Sequence, residues 1–375
     1  MPSDVTIIGG GIIGLAIAHE LKKAGVAKIT VLEKGQTGRE ASWAAAGMLG
    51  PQAETDEPGA FFDLCSASRD LYPALADELL SETGIDVELD RTGTLYLAFD
   101  DESSTELLER YRWQRNAELA VESLSKEDIL RLEPNVSSLV QSGLLFPNDW
   151  QVENRRVVAA LRKYAELNGI DIREDVEVSE VVIENGRAVG VKTANEVTSA
   201  GVVILATGAW TSFIKPRMPF EVRPIRGQIV TFEPHEKLFR HVIYSHSGYV
   251  VPRRDGRVLA GSTSEEVGFD KSVTTEAAAN LREMASEIAS DFAAMPIADQ
   301  WSGLRPFAVD GLPVIGKVHD VDGLFAATAH YRNGILLAPV TAQLVSRLVC
   351  ENDEVGIAKG FSPNRSSTRV AGKSV

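Results

Sequence analysis

Residues 4–34 read DVTIIGGGIIGLAIAHELKKAGVAKITVLEK. An apolar run, Val5 to Ile8, meets three glycines and then a helix-periodic segment that turns Ile12, Leu15, Ala16, Ala18 and Leu21 to one side. A second apolar run, Ile29 to Leu32, follows. The order is strand, tight turn, helix, strand. Gly9, Gly11 and Gly14 stand at the G-x-G-x-x-G spacing. The first allows the turn, the second lets a pyrophosphate approach the backbone, and the third lets helix and strand pack closely. Phosphates then sit at the positive end of the helix. Glu33 closes the second strand, where a carboxylate takes the hydroxyls of an adenosine ribose and rejects a 2′-phosphate. The unit predicts a Rossmann-type dinucleotide site that disfavours NADP.

At 375 residues the chain exceeds the usual size of one core, so two domains are expected. A net charge of −15 and the lack of a basic run argue against nucleic acid and anionic membrane as partners. Cys65 and Cys350 stand far apart with no C-x-x-C, which argues against a disulfide framework or a structural zinc site and fits a reducing cytoplasm. The N-terminus enters the first strand without a leader pattern, and no stretch approaches ~20 apolar residues. A soluble cytoplasmic protein is expected.

Outward from the opening unit, residues 36–51 (QTGREASWAAAGMLGP) are neither a strand nor a well-formed helix start. Their small side chains let backbone lie against something flat or charged, although an alanine-rich helix packed on a neighbour reads the same way. Helical periodicity runs from Phe61 to Glu82, a hairpin is expected across Val87 to Phe99, and a charged helix from about Ser103 to Leu119. Ser125 and Asp128 form a capping box before a short helix. Asn154 is placed to cap a helix that runs to Asn168, and Asn185-Gly186 marks a hairpin. Val202 to Ala206 is an apolar strand entering Thr207-Gly208-Ala209-Trp210, at the carboxyl end where an α/β sheet meets its ligand. Val222 to Phe232 and Val242 to Ser262 read as β, the latter turning at Asp255-Gly256; Glu276 to Phe292 reads as an amphipathic helix. Leu324 to Ala329 is a strand, His330 to Gly334 a junction, and Ile335 to Val349 an apolar helix. After about Phe361 the chain is polar and aperiodic, and is expected to be disordered.

With IIGGGIIG at Ile7, EASWAAAGM at Glu40, ILATGAW at Ile204, GLRPFAVDGLPVIG at Gly303 and HYRNGILLAP at His330 on the page, the chain resembles the FAD-dependent D-amino-acid oxidase and sarcosine oxidase family over almost its whole length. The resemblance implies α/β plus α+β architecture: a Rossmann-type FAD-binding domain (1–85, 145–220, 300–362) and a separate mixed or antiparallel sheet substrate domain (86–144, 221–299), with a tail from 363. It implies FAD, with pyrophosphate at Gly9, Gly11, Ile12, Ile13 and Gly14, and ribose at Glu33 with Lys34 beside it. Ala41, Ser42, Ala46, Gly47 and Met48 would lie along the flavin or its phosphates, Val178 would meet the adenine, and Gly208 would sit beside the cofactor. His330, Tyr331, Arg332, Asn333, Gly334, Ile335 and Leu336 would pass the pyrimidine end, where a helix start favours negative charge on reduced flavin. No cysteine falls in these motifs, so the FAD is expected to be non-covalent.

A guanidinium holds a carboxylate through two parallel hydrogen bonds. Arg305 is expected as the main clamp for an amino-acid carboxylate and Arg332 as its second contact, with Tyr249 in the pocket and Tyr244 as a wall. His246 and His330 stand in neither a triad order nor a metal spacing, so hydrolase and metal chemistry are not expected. The resemblance implies oxidative deamination of glycine and other small amines, such as sarcosine or small D-amino acids, to a 2-oxo acid through an imine. Oxygen would be reduced to peroxide, a role in thiazole synthesis for thiamine follows, and a homotetramer is expected. No side chain is needed as acid or base. A D-amino-acid dehydrogenase or a sarcosine-type oxidase on the same fold is the alternative.

Overall fold

The computed structural model describes residues 4–353 and 356–365. The opening unit forms as its sequence dictates: strand Asp4–Ile8, helix Ile12–Lys23 and strand Lys28–Leu32, the two strands pairing in parallel. They sit inside a six-stranded sheet whose order is 314–317, 324–328, 202–205, 4–8, 28–32, 171–173; only Val314–Lys317 runs antiparallel to its neighbour.

Side chains alternate across these strands, so both faces are apolar and both are covered. Val5, Ile7, Ile29, Val31 and Ile204 meet the helices Ile12–Lys23, Asn154–Leu167 and Gly334–Glu351. Ile8, Leu32, Val203 and Leu205 meet the three-stranded meander of 178–184, 187–193 and 197–199, whose hairpin turns at Asn185 (φ 49°) and Gly186 (φ 75°) as expected. The last helix is long and apolar enough to span a membrane by length and composition, although Thr341, Gln343, Ser346 and Arg347 interrupt it. It is 72% buried within the protein, as a core helix is.

The second sheet has eight strands in the order 299–308, 222–232, 258–261, 248–252, 242–245, 94–98, 142–146, 122–125. It is antiparallel except where Val242–Ser245 runs parallel to Thr94–Ala98. One face, with Leu95, Val230, Phe232, Ile243 and Val250, packs on helices Lys126–Leu132 and Thr275–Ile288. The other carries Ile229, Tyr244, Tyr249 and Val251 and faces the small-residue segment around Ala44 and Ala46.

Several expectations change. No hairpin forms in 87–99: Thr94–Ala98 pairs with strands far away in sequence, which no local turn signal reveals. Glu153, not Asn154, caps the helix, accepting from the Arg155 amide. Strand Asp299–Ala308 belongs to the second sheet, paired along 222–231, so a boundary at 300 cuts it; the 144/145 boundary cuts strand Ser142–Phe146 likewise. Residues 36–51 contribute one helical turn, Ala41–Ala44, and a two-residue strand. Of the expected tail, Arg365 is held by Asp310 (Nε to Oδ2 2.7 Å, Nη2 to Oδ1 2.9 Å), and 366–375 lie outside the described residues.

Candidate active site

A single cleft runs between the two sheets, from Glu33, Lys34 and Val178 at one end to Tyr249, Arg305 and Arg332 at the other. All the site residues read from the sequence line it except Gly14, Tyr244 and Leu336, which stand behind the wall.

The nucleotide end is built from backbone. Gly9 has φ +110°, and a Cβ there would lie 2.3 Å from the Ala206 carbonyl O. One on Gly14 would lie 2.0 Å from the Gly9 O, so Gly14 serves by letting helix touch turn. A Cβ on Gly11, by contrast, would meet only Ser42 Oγ at 3.3 Å, which leaves this face open to a ligand. Ser42 Oγ also accepts from the Ile12 amide (2.9 Å) and joins residues 36–51 to the helix start. Glu33 is 8% exposed; its carboxylate accepts from Gly10 N (Oε2, 2.8 Å) and Gly35 N (Oε1, 3.0 Å). Pinned in this way, it presents its remaining lone pairs to the cleft. An open phosphate turn beside a held acid fits a dinucleotide with a free ribose diol. Lys34 lines the cleft beside it, its ammonium resting on the Trp210 ring, 3.7 Å from the centroid.

The wall over the middle of the cleft is residues 41–48, and its carbonyls are tied outward by side chains from elsewhere. Asn154 Nδ2 donates to Ser42 O (2.7 Å) and Trp43 O (3.2 Å). Trp301 Nε1 donates to Ala44 O (3.0 Å) and buried Arg253 Nη2 to Ala46 O (2.7 Å). The need for small residues is literal: a Cβ on Gly303 would come 2.5 Å from Ala44 Cβ, and one on Gly47 2.1 Å from Val152 O. Asn154, Arg253 and Trp301 are positioning residues that the sequence did not mark. Each lies more than 90 positions from the carbonyl it ties.

Beyond it, the strand Leu324–Thr328 delivers the chain to the last helix through a junction in which Ala329 (φ 59°) and Tyr331 (φ 49°) adopt left-handed backbone. His330 between them is buried and bonded to Thr341 Oγ1 (3.0 Å); burial drops its pKa to about 3, so the imidazole is neutral and not a base. Pro339 removes the amide that would satisfy the Ile335 carbonyl. The Tyr72 hydroxyl donates to it instead (2.5 Å), while Ser68 Oγ donates to Leu336 O (2.6 Å). This explains why Leu336 braces the helix start and does not touch the cleft.

At the far end Arg305 lies mid-strand, opposite Ile225. Its Nη1 donates to Thr263 O (2.9 Å) and its Nη2 to Ser262 Oγ (2.7 Å), and the guanidinium lies flat over Gly227, where a Cβ would be 2.1 Å from Nη2. Burial and Arg332 both hold its pKa below the ordinary value. Arg332 is solvent-exposed at the cleft mouth; desolvation works against its charge, but Glu54 and Tyr331 outweigh this and raise its pKa. Among the described residues no carboxylate oxygen comes within 4.0 Å of either arginine. Tyr249 covers Gly261 across the strand pair and lines the cleft; burial raises its phenol pKa while Arg305 pulls it down. Tyr244 lies behind, its hydroxyl donating to Glu54 Oε1 (2.5 Å). Glu54, a cleft residue the sequence reading missed, is the last residue of the turn Pro51–Glu54. Nothing in its local sequence distinguishes it from other acids nearby.

The profile of the family described as "FAD dependent oxidoreductase" matches residues 4–348. The chain belongs to that family. As an FAD-dependent oxidoreductase it is 34% identical over 366 residues to a protein named glycine oxidase from Pseudomonas aeruginosa, covering 97% of this chain and 99% of that one. It is 37% identical over 374 residues to the bifunctional protein ThiO/ThiG of Synechocystis, covering 97% of this chain and 54% of that longer protein. The crystal structure of glycine oxidase from Geobacillus kaustophilus superposes with a TM-score of 0.92 at 35% identity, over 97% of this chain and 99% of the other. This FAD-dependent oxidoreductase therefore takes FAD, and the cleft from Glu33 to the Gly11 turn fits a dinucleotide. Neither cysteine lines it.

Proposed function

We propose that the chain oxidises glycine and other small amines, such as sarcosine or small D-amino acids, to an imine that water hydrolyses to a 2-oxo acid: glyoxylate and ammonia from glycine, glyoxylate and methylamine from sarcosine. The observation that carries this is the pair of guanidiniums, Arg305 and Arg332, with no carboxylate within 4.0 Å among the described residues, at the end of the FAD cleft opposite Glu33. Bound FAD supplies the two-electron oxidation and hands the electrons to oxygen as hydrogen peroxide. Arg305, buried and held by Ser262 and Thr263, fixes the substrate carboxylate. Arg332 at the mouth gives it a second contact, and Tyr249 limits the room beside it. The amine reacts as the free base, its extra proton going to solvent through the mouth that Arg332 borders. With His330 neutral and buried, orientation in a dry pocket is what the protein contributes.

Relatives fused as ThiO/ThiG support a place in thiamine synthesis, where the imine itself is the useful product. The free thiols of Cys65 and Cys350 fit a cytoplasmic enzyme, and the reading includes a homotetramer, which light scattering tests. The deciding experiment mixes the yellow protein with glycine anaerobically, then admits air over a peroxide assay. Bleaching that reverses with peroxide release is expected. Bleaching without reoxidation in air would make it a dehydrogenase, and bleaching by sarcosine or D-alanine but not glycine would change the substrate. Boiling is expected to release the flavin, because no cysteine reaches it.

A further inference from the structure

The substrate end of the cleft holds three charged groups that form no ion pair within 4.0 Å among the described residues. Arg305 and Arg332 are two; the third is Glu54, which has no cation within 4.0 Å among the described residues. Its carboxylate is placed with care. Buried Asp149 accepts from Gln52 N (3.2 Å) and Ala53 N (2.8 Å), fixing the turn from beneath. Gln52 is locked by its own side chain on Gln114 Oε1 (2.8 Å) and Ala120 O (3.0 Å), and Arg110 Nη1 donates to Gln52 O (2.9 Å). Of that turn, only Glu54 enters the cleft. One oxygen accepts from Tyr244, whose phenol is held neutral by burial and by Glu54 itself; no hydrogen bond engages the other among the described residues.

A half-buried carboxylate left without a cation is costly, and a structural role would pair it. Two cations and one anion that share one pocket without direct ion-pair contact are complementary to a ligand carrying both signs. We propose that Glu54 is the ammonium-recognition residue, and that it selects zwitterionic amino acids over carboxylates that lack an amine. The inference rests on the functional reading above and deepens it. An amino acid arrives with its carboxylate on Arg305 and its ammonium against the open oxygen of Glu54, and gives up the extra proton to solvent before it reacts. A simple carboxylate or 2-hydroxy acid satisfies the arginine but leaves Glu54 desolvated and uncompensated, and a site whose buried polar group is left unpaired rejects that ligand strongly.

The test uses the holoenzyme and its Glu54→Gln variant. Glycine affinity is read from the concentration dependence of anaerobic flavin bleaching, and acetate affinity from the perturbation of the oxidised flavin spectrum. Glu54→Gln is expected to weaken glycine at least tenfold and to leave acetate within threefold, or tighter. An unchanged ratio of glycine to acetate affinity, or an equal loss of both, overturns the proposal. Should Glu54→Gln yield no yellow protein, Tyr244→Phe keeps the carboxylate and removes its donor. It is expected to shift the same ratio at least threefold, and an unmoved ratio is again fatal. A wild-type flavin that glycine neither bleaches nor perturbs removes the functional reading itself, and this proposal with it. A wild type that responds while the variant keeps its ratio removes Glu54 alone.

Discussion

The two ends of the cleft handle charge in opposite ways. At the nucleotide end the carboxylate of Glu33 is already held by the amides of Gly10 and Gly35, and the Ile12 amide by Ser42. At the other end Arg305, Arg332 and Glu54 form no ion pair within 4.0 Å among the described residues. A permanently bound cofactor meets a surface that is complete without it. In the proposed function the substrate's own charges complete the other end. Binding energy is thereby concentrated where turnover needs discrimination.

Arg305→Ala attacks the incomplete end and carries the largest expected effect. Truncating one partner of a charge-assisted pair costs about 2–5 kcal/mol, so the Michaelis constant for glycine rises roughly thirtyfold to several thousandfold. Flavin content stays that of the wild type, and steady-state peroxide kinetics decide; an unmoved constant would refute the clamp. Glu33→Ala attacks the complete end. Removing hydrogen bonds of a charged group costs about 1.5–3 kcal/mol, so the FAD dissociation constant rises roughly ten- to a hundredfold. Once saturated with FAD, the variant keeps its Michaelis constant for glycine; a change there would mean that the two ends are coupled.

The smallest effect concerns the support beneath Glu54. Burial raises the pKa of Asp149 to about 7. An acid whose folded pKa lies above its unfolded value contributes stability that is fully present below the ordinary carboxyl range and is lost as pH rises through about 7. Asp149→Asn cannot ionise, so its melting temperature relative to wild type should climb between pH 5 and pH 9. A constant difference across that range would show that Asp149 does not titrate there.

The same contrast explains what could be read in advance. Gly9, Gly11, Gly14 and Glu33 lie within one strand–helix–strand unit whose spacing is fixed by local geometry, so sequence alone places them. The arginines came through motifs that resemble those of a family, without their positions in the fold: Arg305 proved to be mid-strand. Glu54 gave no signal, because its meaning depends on Tyr244 and Asp149, 190 and 95 positions onward or so. Asn154 illustrates the same limit. Its side chain suits a cap, but long-range pairing with the Ser42 and Trp43 carbonyls won, and Glu153 took the cap. The hairpin expected at 87–99 failed for the same reason, since Thr94–Ala98 finds its partners at 142–146 and 242–245.

That interleaving bears on how a nascent chain reaches its shape. Strand Asp4–Ile8 gains its inner neighbour only when 202–205 emerges from the ribosome, and that strand gains its own at 324–328. Thr94–Ala98 waits for 242–245, and Val222–Phe232 for 299–308. Contacts this distant close slowly and leave bare strand edges in the meantime. Neither sheet can be completed during most of synthesis, so the enzyme matures late and as a whole, and truncation anywhere before the last strand leaves fragments prone to aggregate.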